Sequence, residues 1–225
     1  MASQSPIWDC AKRDLVFTDE RGNQDVYVCE HGQRVALSAR HIATLPGVPG
    51  RRTDGAALEA AALYHDAGWI CQVREGTVHR FDILCKPTSD RQRDLAVALL
   101  TESLADHLKP HSLETAGMLI RQMNDRHVRA TEAQILADAD SLDDIGNLSL
   151  WSTIRRHTFE GKAIETTLKT WKRQREFCFW EARIRESVRF EAVKQIAFRR
   201  LEYIDQFMSM LARHHAGDDL AELAG

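Results

Sequence analysis

Apolar residues recur every three or four positions along most of this 225-residue chain, which is the period of an amphipathic helix. The segment from Asp25 to Leu45 shows the pattern well. One face of it would carry Val28, His31, Val35, Ala39 and Ile42. The alternation that is typical of strands is scarce. The pattern therefore predicts an all-α protein.

Turn and capping signals divide this pattern into separate helices. A short opening helix should lead to a turn at residues 21–23, and the proline- and glycine-rich loop after Leu45 should end the next helix. A further helix is predicted from about Gly55 to Trp69. The least regular segment, residues 70–90, is either a short hairpin or an active-site loop. Thr88 or Ser89 is predicted to cap the helix that follows.

The second half of the chain continues the helical period. Helices are predicted to begin near Pro110 and at Thr131, and the C-terminal third should form two or three long helices. One apolar stripe there is typical of a core or of a seam between helices: Phe190, Val193, Ala197, Leu201, Ile204, Met208 and Leu211. We predict a single domain over residues 1–225, with a core at about 25–150 and a helical extension at about 151–213.

Composition narrows the class of protein. Apolar residues make up 44% and charged residues 28%, which is ordinary for a globular protein, and the net charge is −3. This charge favours neither specific nucleic-acid binding nor an anionic membrane. Five scattered cysteines fit free thiols in a reducing compartment. With no signal segment and no membrane-length apolar run, we expect a soluble, cytoplasmic protein.

The stretch AALYHDAGW, residues 61–69, places two polar side chains inside an apolar run. His65 follows Leu58, Ala61 and Ala62 at helical spacing, and Asp66 is its neighbour. A buried aspartate loses its hydration and needs a partner or a metal ion to compensate. His65 and Asp66 are therefore either a satisfied pair in the core or part of a site.

Two other positions favour the site. His31 lies on the apolar face of its own helix, and Asp140 borders the buried stripe of ILADADSLDDIG. Three helices would then bring two imidazoles and two carboxylates to one place. This donor set suits a divalent manganese, iron, cobalt or nickel ion, with magnesium also open, and is less suited to a closed structural zinc site. Four protein ligands would leave two octahedral positions for water or substrate oxygens.

The order of these motifs resembles the HD-domain superfamily of metal-dependent phosphohydrolases. HGQRV is similar to the first-helix motif of that family, AALYHDAGW to its namesake helix, and LADADSLDDIG to its final aspartate motif. The last motif and the long C-terminal helices look most like the small bacterial HD hydrolases whose motif reads DADxLDxIG. The resemblance covers roughly residues 25–213 and implies a helical bundle.

The resemblance implies that His31, His65, Asp66 and Asp140 bind one metal ion. Asp66 would also serve catalysis, and Asp143 would orient a histidine or the attacking water. Many relatives have a lysine where this chain has Trp69, so a phosphate-facing cation is missing there. Relatives with two metals have two more histidines before the last aspartate. A second ion is less expected here, and its candidate ligands are His79, His107, His111 and His127.

The activity implied by the resemblance is hydrolysis of a phosphorylated small molecule, most of all a nucleoside triphosphate split to a monophosphate and pyrophosphate. Candidate phosphate-binding residues are Arg34, Arg80 and Lys86. The alternatives are a nucleoside monophosphate phosphatase, a di-iron oxygenase of the HD type, and a non-catalytic nucleotide-binding HD protein. The sequence leaves a homodimer open and gives no sign of a membrane partner.

Overall fold

The computed structural model describes residues 5–49, 53–83 and 88–221, and these residues are overwhelmingly helical, which confirms the all-α prediction. In chain order the elements are α1 (Pro6–Leu15), β1 (Phe17–Thr18), β2 (Gln24–Asp25), α2 (Tyr27–Ile42), α3 (Gly55–Tyr64), α4 (Ala67–Arg74), α5 (Asp90–Leu104), α6 (Pro110–Gln122), α7 (Thr131–Asp143), α8 (Asn147–Phe159), α9 (Ile164–Glu176), α10 (Phe179–Ser187), α11 (Glu191–Ala216) and α12 (Asp218–Ala221).

The helix starts follow local chemistry. The Asp54 carboxylate accepts hydrogen bonds from the first backbone N–H groups of α3, at 3.1 Å each from Ala56 and Ala57. Ser89 caps α5 as expected, and forms a capping box with Gln92: each side chain bonds the other residue's backbone N–H. Pro110 opens α6, where its missing N–H costs nothing.

Three expectations need correction. The helix predicted from Gly55 to Trp69 is broken at His65 and Asp66, which form a turn between α3 and α4. The C-terminal third holds one long helix, the 26-residue α11, whereas α9 and α10 have 13 and 9 residues. In the described part of residues 70–90, the chain finishes α4 and makes a 3₁₀ turn at Arg80–Asp82 instead of a hairpin.

The first of two compact units is Met1–Asp140. In it α2 packs on α3, α3 packs on α5 and α6, and α4 lies against α5. The short β1–β2 hairpin, with Phe17 opposite Asp25, joins α1 to α2. Large side chains that are fully buried form its core: Leu15, Leu63, Tyr64, Ile70, Leu100, Leu104, Leu119, Ile120, Ile135 and Leu136.

The second unit is Ser141–Gly225. Its longest helix, α11, packs on α8, α9 and α10. The predicted stripe supplies the contact: Val193, Ala197, Leu201, Ile204 and Met208 are all buried. Gly217 ends α11 in the left-handed conformation, with φ of 76°. Among the helices of residues 5–49, 53–83 and 88–221, none combines the length and the apolar content that crossing a bilayer demands.

Candidate metal centre

The structure brings His31, His65, Asp66 and Asp140 together. One ligand atom from each of the four lies within 4.8 Å of the others. The two imidazole Nε2 atoms are 3.2 Å apart, and each lies 3.3–3.4 Å from Asp66 Oδ2 and Asp140 Oδ1. All four converge on one point, as the sequence predicted.

The break between α3 and α4 creates half of this cluster. His65 is the C-cap residue of α3, and Asp66 is the N-cap residue of α4. In an unbroken helix, neighbouring side chains point about 100° apart, so His65 and Asp66 would diverge. In the turn, both side chains reach the imidazole of His31 on α2, and the His65 imidazole also reaches the carboxylate of Asp140 on α7.

Two glycines allow the surrounding helices to approach closely. A Cβ atom on Gly32 would lie 2.4 Å from the Leu63 carbonyl oxygen, so α2 and α3 touch there backbone to backbone. A Cβ atom on Gly68 would lie 2.0 Å from the Gln92 carbonyl oxygen, where α4 meets α5. Each glycine stands within two residues of a member of the cluster. Neither glycine was predicted to matter for the site, although each is visible inside its motif, in HGQRV and HDAGW.

The orientation of His65 is fixed by its second ring nitrogen. His65 Nδ1 lies 2.9 Å from the Ala62 carbonyl oxygen, which can only accept, so Nδ1 carries a proton and donates it. In the neutral ring, Nε2 then presents a lone pair to the cluster. This arrangement of a backbone carbonyl behind an imidazole is typical of histidines that bind metal ions.

The cluster holds two carboxylates close together, that of Asp66 buried and that of Asp140 half-buried with 29% of its side chain exposed, and their negative charges favour a nearby positive charge. His31 and His65 are 3% and 2% exposed, and Asp66 is 8% exposed. Burial by itself disfavours imidazolium, yet the Asp66 carboxylate and hydrogen bonds with Asp140 and Asp66 outweigh it and raise the pKa of His65 to about 10. Burial also opposes ionisation of Asp66 and Asp140, but the facing imidazoles lower the pKa of both carboxyls.

The donor set and the spacing fit a divalent cation. Bonds of about 2.0–2.2 Å from nitrogen and oxygen to a metal place neighbouring ligand atoms roughly 3.0–3.5 Å apart, depending on whether the coordination is octahedral or tetrahedral. The measured separations of 3.2–3.4 Å fall in this range. A metal ion would supply the positive charge that a proton on His65 supplies otherwise. These four residues can therefore hold a metal ion.

The other predicted site residues lie elsewhere or carry other contacts. Arg34 is half-buried on α2. Arg80 is paired with Asp19, with Nη1 3.2 Å from Oδ2, and its guanidinium lies 5.1 Å from the centre of the Phe81 ring. Lys86 falls outside the described residues. Asp143 is buried at the end of α7 in the second unit. Roles for these four residues in the reaction stay predictions.

The remaining candidates are also placed clearly. Trp69 stands at the position where many relatives of the resembled family have a lysine. It is 4% exposed and adds apolar packing but no positive charge. All four histidines considered for a second ion are exposed, and none belongs to the cluster: His79, His107, His111 and His127. Within the part of the chain that the structure describes, the quartet is the group of three or more histidine, cysteine or acidic side chains whose ligand atoms lie close enough to share an ion.

Comparison with known proteins adds a fold-level likeness. No protein-family model matches the chain, and no curated protein does. Among solved structures, the crystal structure of Bacillus subtilis YpgQ in complex with ADP is similar, with a TM-score of 0.57 and 18% sequence identity. The match covers 92% of this chain and 95% of that one. At this identity the likeness concerns the fold.

Proposed function

We propose that this protein is a divalent-metal-dependent phosphohydrolase of the HD type that acts on nucleotides, most of all by splitting a nucleoside triphosphate into a monophosphate and pyrophosphate. The observation that carries the proposal is the convergence of His31, His65, Asp66 and Asp140 on one point, with the first three buried and Asp140 half-buried. Supporting it, the fold resembles that of YpgQ, a protein crystallised with ADP.

The residues of the cluster would have two roles, metal binding and proton transfer. The two imidazoles and the carboxylates of Asp66 and Asp140 would hold the ion. When bound, such an ion would lower the pKa of a coordinated water far below that of bulk water, to about 7, and would neutralise charge on phosphoryl oxygens. The Asp66 carboxylate, one oxygen of which faces the cluster, would accept the proton of the attacking water. Water would attack the α-phosphorus, and pyrophosphate would leave with the electrons of the broken P–O bond.

Asp143 and the arginines complete the proposed assignment. Asp143, one turn after Asp140, would orient a group of the site through a hydrogen bond. Arg34 and Lys86 would neutralise the phosphate tail, and Arg80 would do so only by sharing its guanidinium with Asp19. Because Trp69 adds no positive charge, more of the phosphate neutralisation falls to these side chains and to the ion.

The decisive experiment follows the products by phosphorus NMR. The protein would be incubated with manganese and a panel of nucleoside mono- and triphosphates, with EDTA as the control. Pyrophosphate and a monophosphate, formed only without EDTA, are the expected products. Inorganic phosphate as the sole product would replace the proposal with a phosphatase. No product from any nucleotide would refute the hydrolase assignment and would favour a di-iron oxygenase or a non-catalytic nucleotide-binding protein.

A variant pair ties the activity to the cluster. Asp66→Ala should lower turnover by about 10³-fold or more, because several kcal/mol of charge stabilisation depend on the ion it helps to hold. Far-UV circular dichroism should be unchanged, since the helices around Asp66 are buried by other contacts. Asp106→Ala, at an exposed aspartate after α5, is the matched control and should keep full turnover. Wild-type rates in Asp66→Ala would refute the proposed site.

A further inference from the structure

A cleft of about 490 Å³ opens in the first unit, between α1, the β1–β2 hairpin and the first turns of α2. Its volume falls within the range of small-molecule sites in proteins, about 300–1,000 Å³. The mechanism proposed above makes no use of it. The residues that give it its chemistry are Lys12, Arg13, Gln24, Val26, Glu30 and Gln33.

The cleft and the metal centre lie on different faces of α2. Successive side chains of a helix turn by about 100°. Glu30 and Gln33, which line the cleft, project within about 60° of each other, whereas His31 projects at least about 100° from either. A ligand in the cleft would therefore contact α2 from the side away from the His31 imidazole.

Charges of opposite sign occupy the two helical walls. On α1, Lys12 and Arg13 contribute cations, and the Arg13 side chain is 65% exposed even though Asp14 binds its Nε and Nη2 atoms at 2.8 and 3.2 Å. On α2, Glu30 contributes a carboxylate and Gln33 an amide. Val26, the N-cap residue of α2, adds apolar surface to the lining.

This lining suits a ligand that is anionic at one end and a hydrogen-bond donor at the other. A simple anion would meet the Glu30 carboxylate and be repelled by it, and a simple cation would meet Lys12 and Arg13. A phosphate is a strong acceptor for lysine and arginine. The amino group of adenine or cytosine is a donor that carboxylates accept.

We propose that the cleft is a second small-molecule site, which binds a nucleotide whose base carries an amino group. The phosphate lies on Lys12 and Arg13, and the amino group donates to Glu30 with Gln33 beside it. This site is separate from the metal centre. It requires neither a metal ion nor turnover, so it stands or falls independently of the proposed hydrolase activity.

Isothermal titration of the wild-type chain in EDTA tests the proposal, because EDTA removes any metal-dependent binding at the quartet. AMP and CMP should bind, and UMP and inorganic phosphate should bind at least about 10-fold more weakly, since neither can donate an amino hydrogen bond to the charged Glu30 carboxylate. Lys12→Ala should weaken the binding of AMP by about 10-fold or more. Glu30→Ala should weaken AMP binding by a similar factor and should not weaken UMP binding, since uracil has no amino group to donate to Glu30.

Control variants on the same helices sharpen the result. Asp9→Ala on α1 and Arg40→Ala on α2 change exposed charges that do not line the cleft, and both should bind AMP as the wild type does. Absence of AMP binding in EDTA would overturn the proposal, as would AMP binding that Lys12→Ala leaves unchanged. Equal affinity for phosphate and AMP would overturn the role of the base. A loss of metal-dependent turnover in Lys12→Ala at saturating substrate would show one substrate pocket in place of two sites.

Discussion

At the scale of single residues, the first unit contains a buried polar pair, Tyr64 and Asp14. Tyr64 is the last residue of α3 and directly precedes His65 of the metal centre. The Tyr64 hydroxyl, fully buried next to His65 in the chain, donates a 2.7 Å hydrogen bond to Asp14 Oδ2. Burial by itself would raise the pKa of Asp14, but hydrogen bonds from Arg13 and Tyr64 lower it below its ordinary value. Asp14 is therefore ionised in the folded protein at neutral pH, and Tyr64 stabilises its charge.

Tyr64→Phe should reduce the free energy of unfolding by about 1.5–3 kcal/mol at pH 7, the contribution of a hydrogen bond to a charged group. Because the folded-state pKa of Asp14 is lowered, its stabilising effect is complete above the unfolded value of about 3.9 and is lost as the pH falls through the folded value. The deficit of the variant should therefore narrow below about pH 4. Urea unfolding at pH 7 and pH 3 measures this difference.

The matched control for this variant is Tyr203→Phe, which removes the same hydroxyl from a tyrosine that is 57% exposed on α11. It should change the free energy of unfolding by less than about 0.5 kcal/mol at either pH. A Tyr64→Phe protein as stable as the wild type at pH 7 would contradict the assigned role of this hydrogen bond.

At the scale of secondary-structure elements, the spacing between α2 and α3 decides whether His31 and His65 can meet. Gly32 gives that spacing, because a methyl group there would lie 2.4 Å from the Leu63 carbonyl oxygen, a distance that real Cβ atoms essentially never show. The obstacle is backbone, which cannot rotate away as a side chain can. A larger residue must therefore push α2 away from α3 and separate the two imidazoles.

Gly32→Ala should weaken manganese binding by about 10- to 100-fold, the usual effect of disturbing the support of a metal ligand. It should also destabilise the chain by about 1–3 kcal/mol through overpacking, although alanine is the better helix former by about 1 kcal/mol. Gly55→Ala is the control, since Gly55 lies in α3 and a Cβ atom there would meet nothing within 4 Å. Equal manganese affinity in the two variants, measured by titration calorimetry, would show that this contact does not position the ligands.

At the scale of the whole molecule, metal binding and folding should be linked. The quartet draws its ligands from α2, α7 and the turn between α3 and α4, so it forms only when those parts of the first unit are folded. An ion that binds the folded chain stabilises it by about 2.7 kcal/mol at a free concentration of 100 times its Kd. Thermal unfolding in increasing manganese should therefore move to higher temperature, and EDTA should reverse the shift.

His31→Ala should abolish the dependence of the unfolding temperature on manganese. His107→Ala, at an exposed histidine outside the quartet, should keep it. Loss of the dependence in both variants would mean that the ion binds to histidines in general and not to this cluster. A wild-type unfolding temperature that is insensitive to manganese, iron, cobalt, nickel and magnesium would show that the folded chain does not bind a divalent ion at the quartet.

The sequence by itself determined the helical class, the starts of several helices in the first half of the chain and the four members of the cluster. These are recorded in local patterns: the apolar period that appears in α2 and α11, the Ser89 cap, and polar residues placed where apolar ones are expected. Such patterns act between residues that are near each other in the chain. For that reason they can be read without knowing how the helices pack.

The tertiary structure alone decided how the cluster is assembled. The break at His65 and Asp66 was invisible because the apolar run AALYHDAGW favours one continuous helix. Contacts between distant segments override that preference. Contacts of the same kind bring Gly32 close to Leu63 and pair Arg80 with Asp19. The cleft between α1 and α2 likewise exists only because the hairpin returns the chain beside α1. These features depend on distances between residues far apart in sequence, and a one-dimensional pattern carries no such distances.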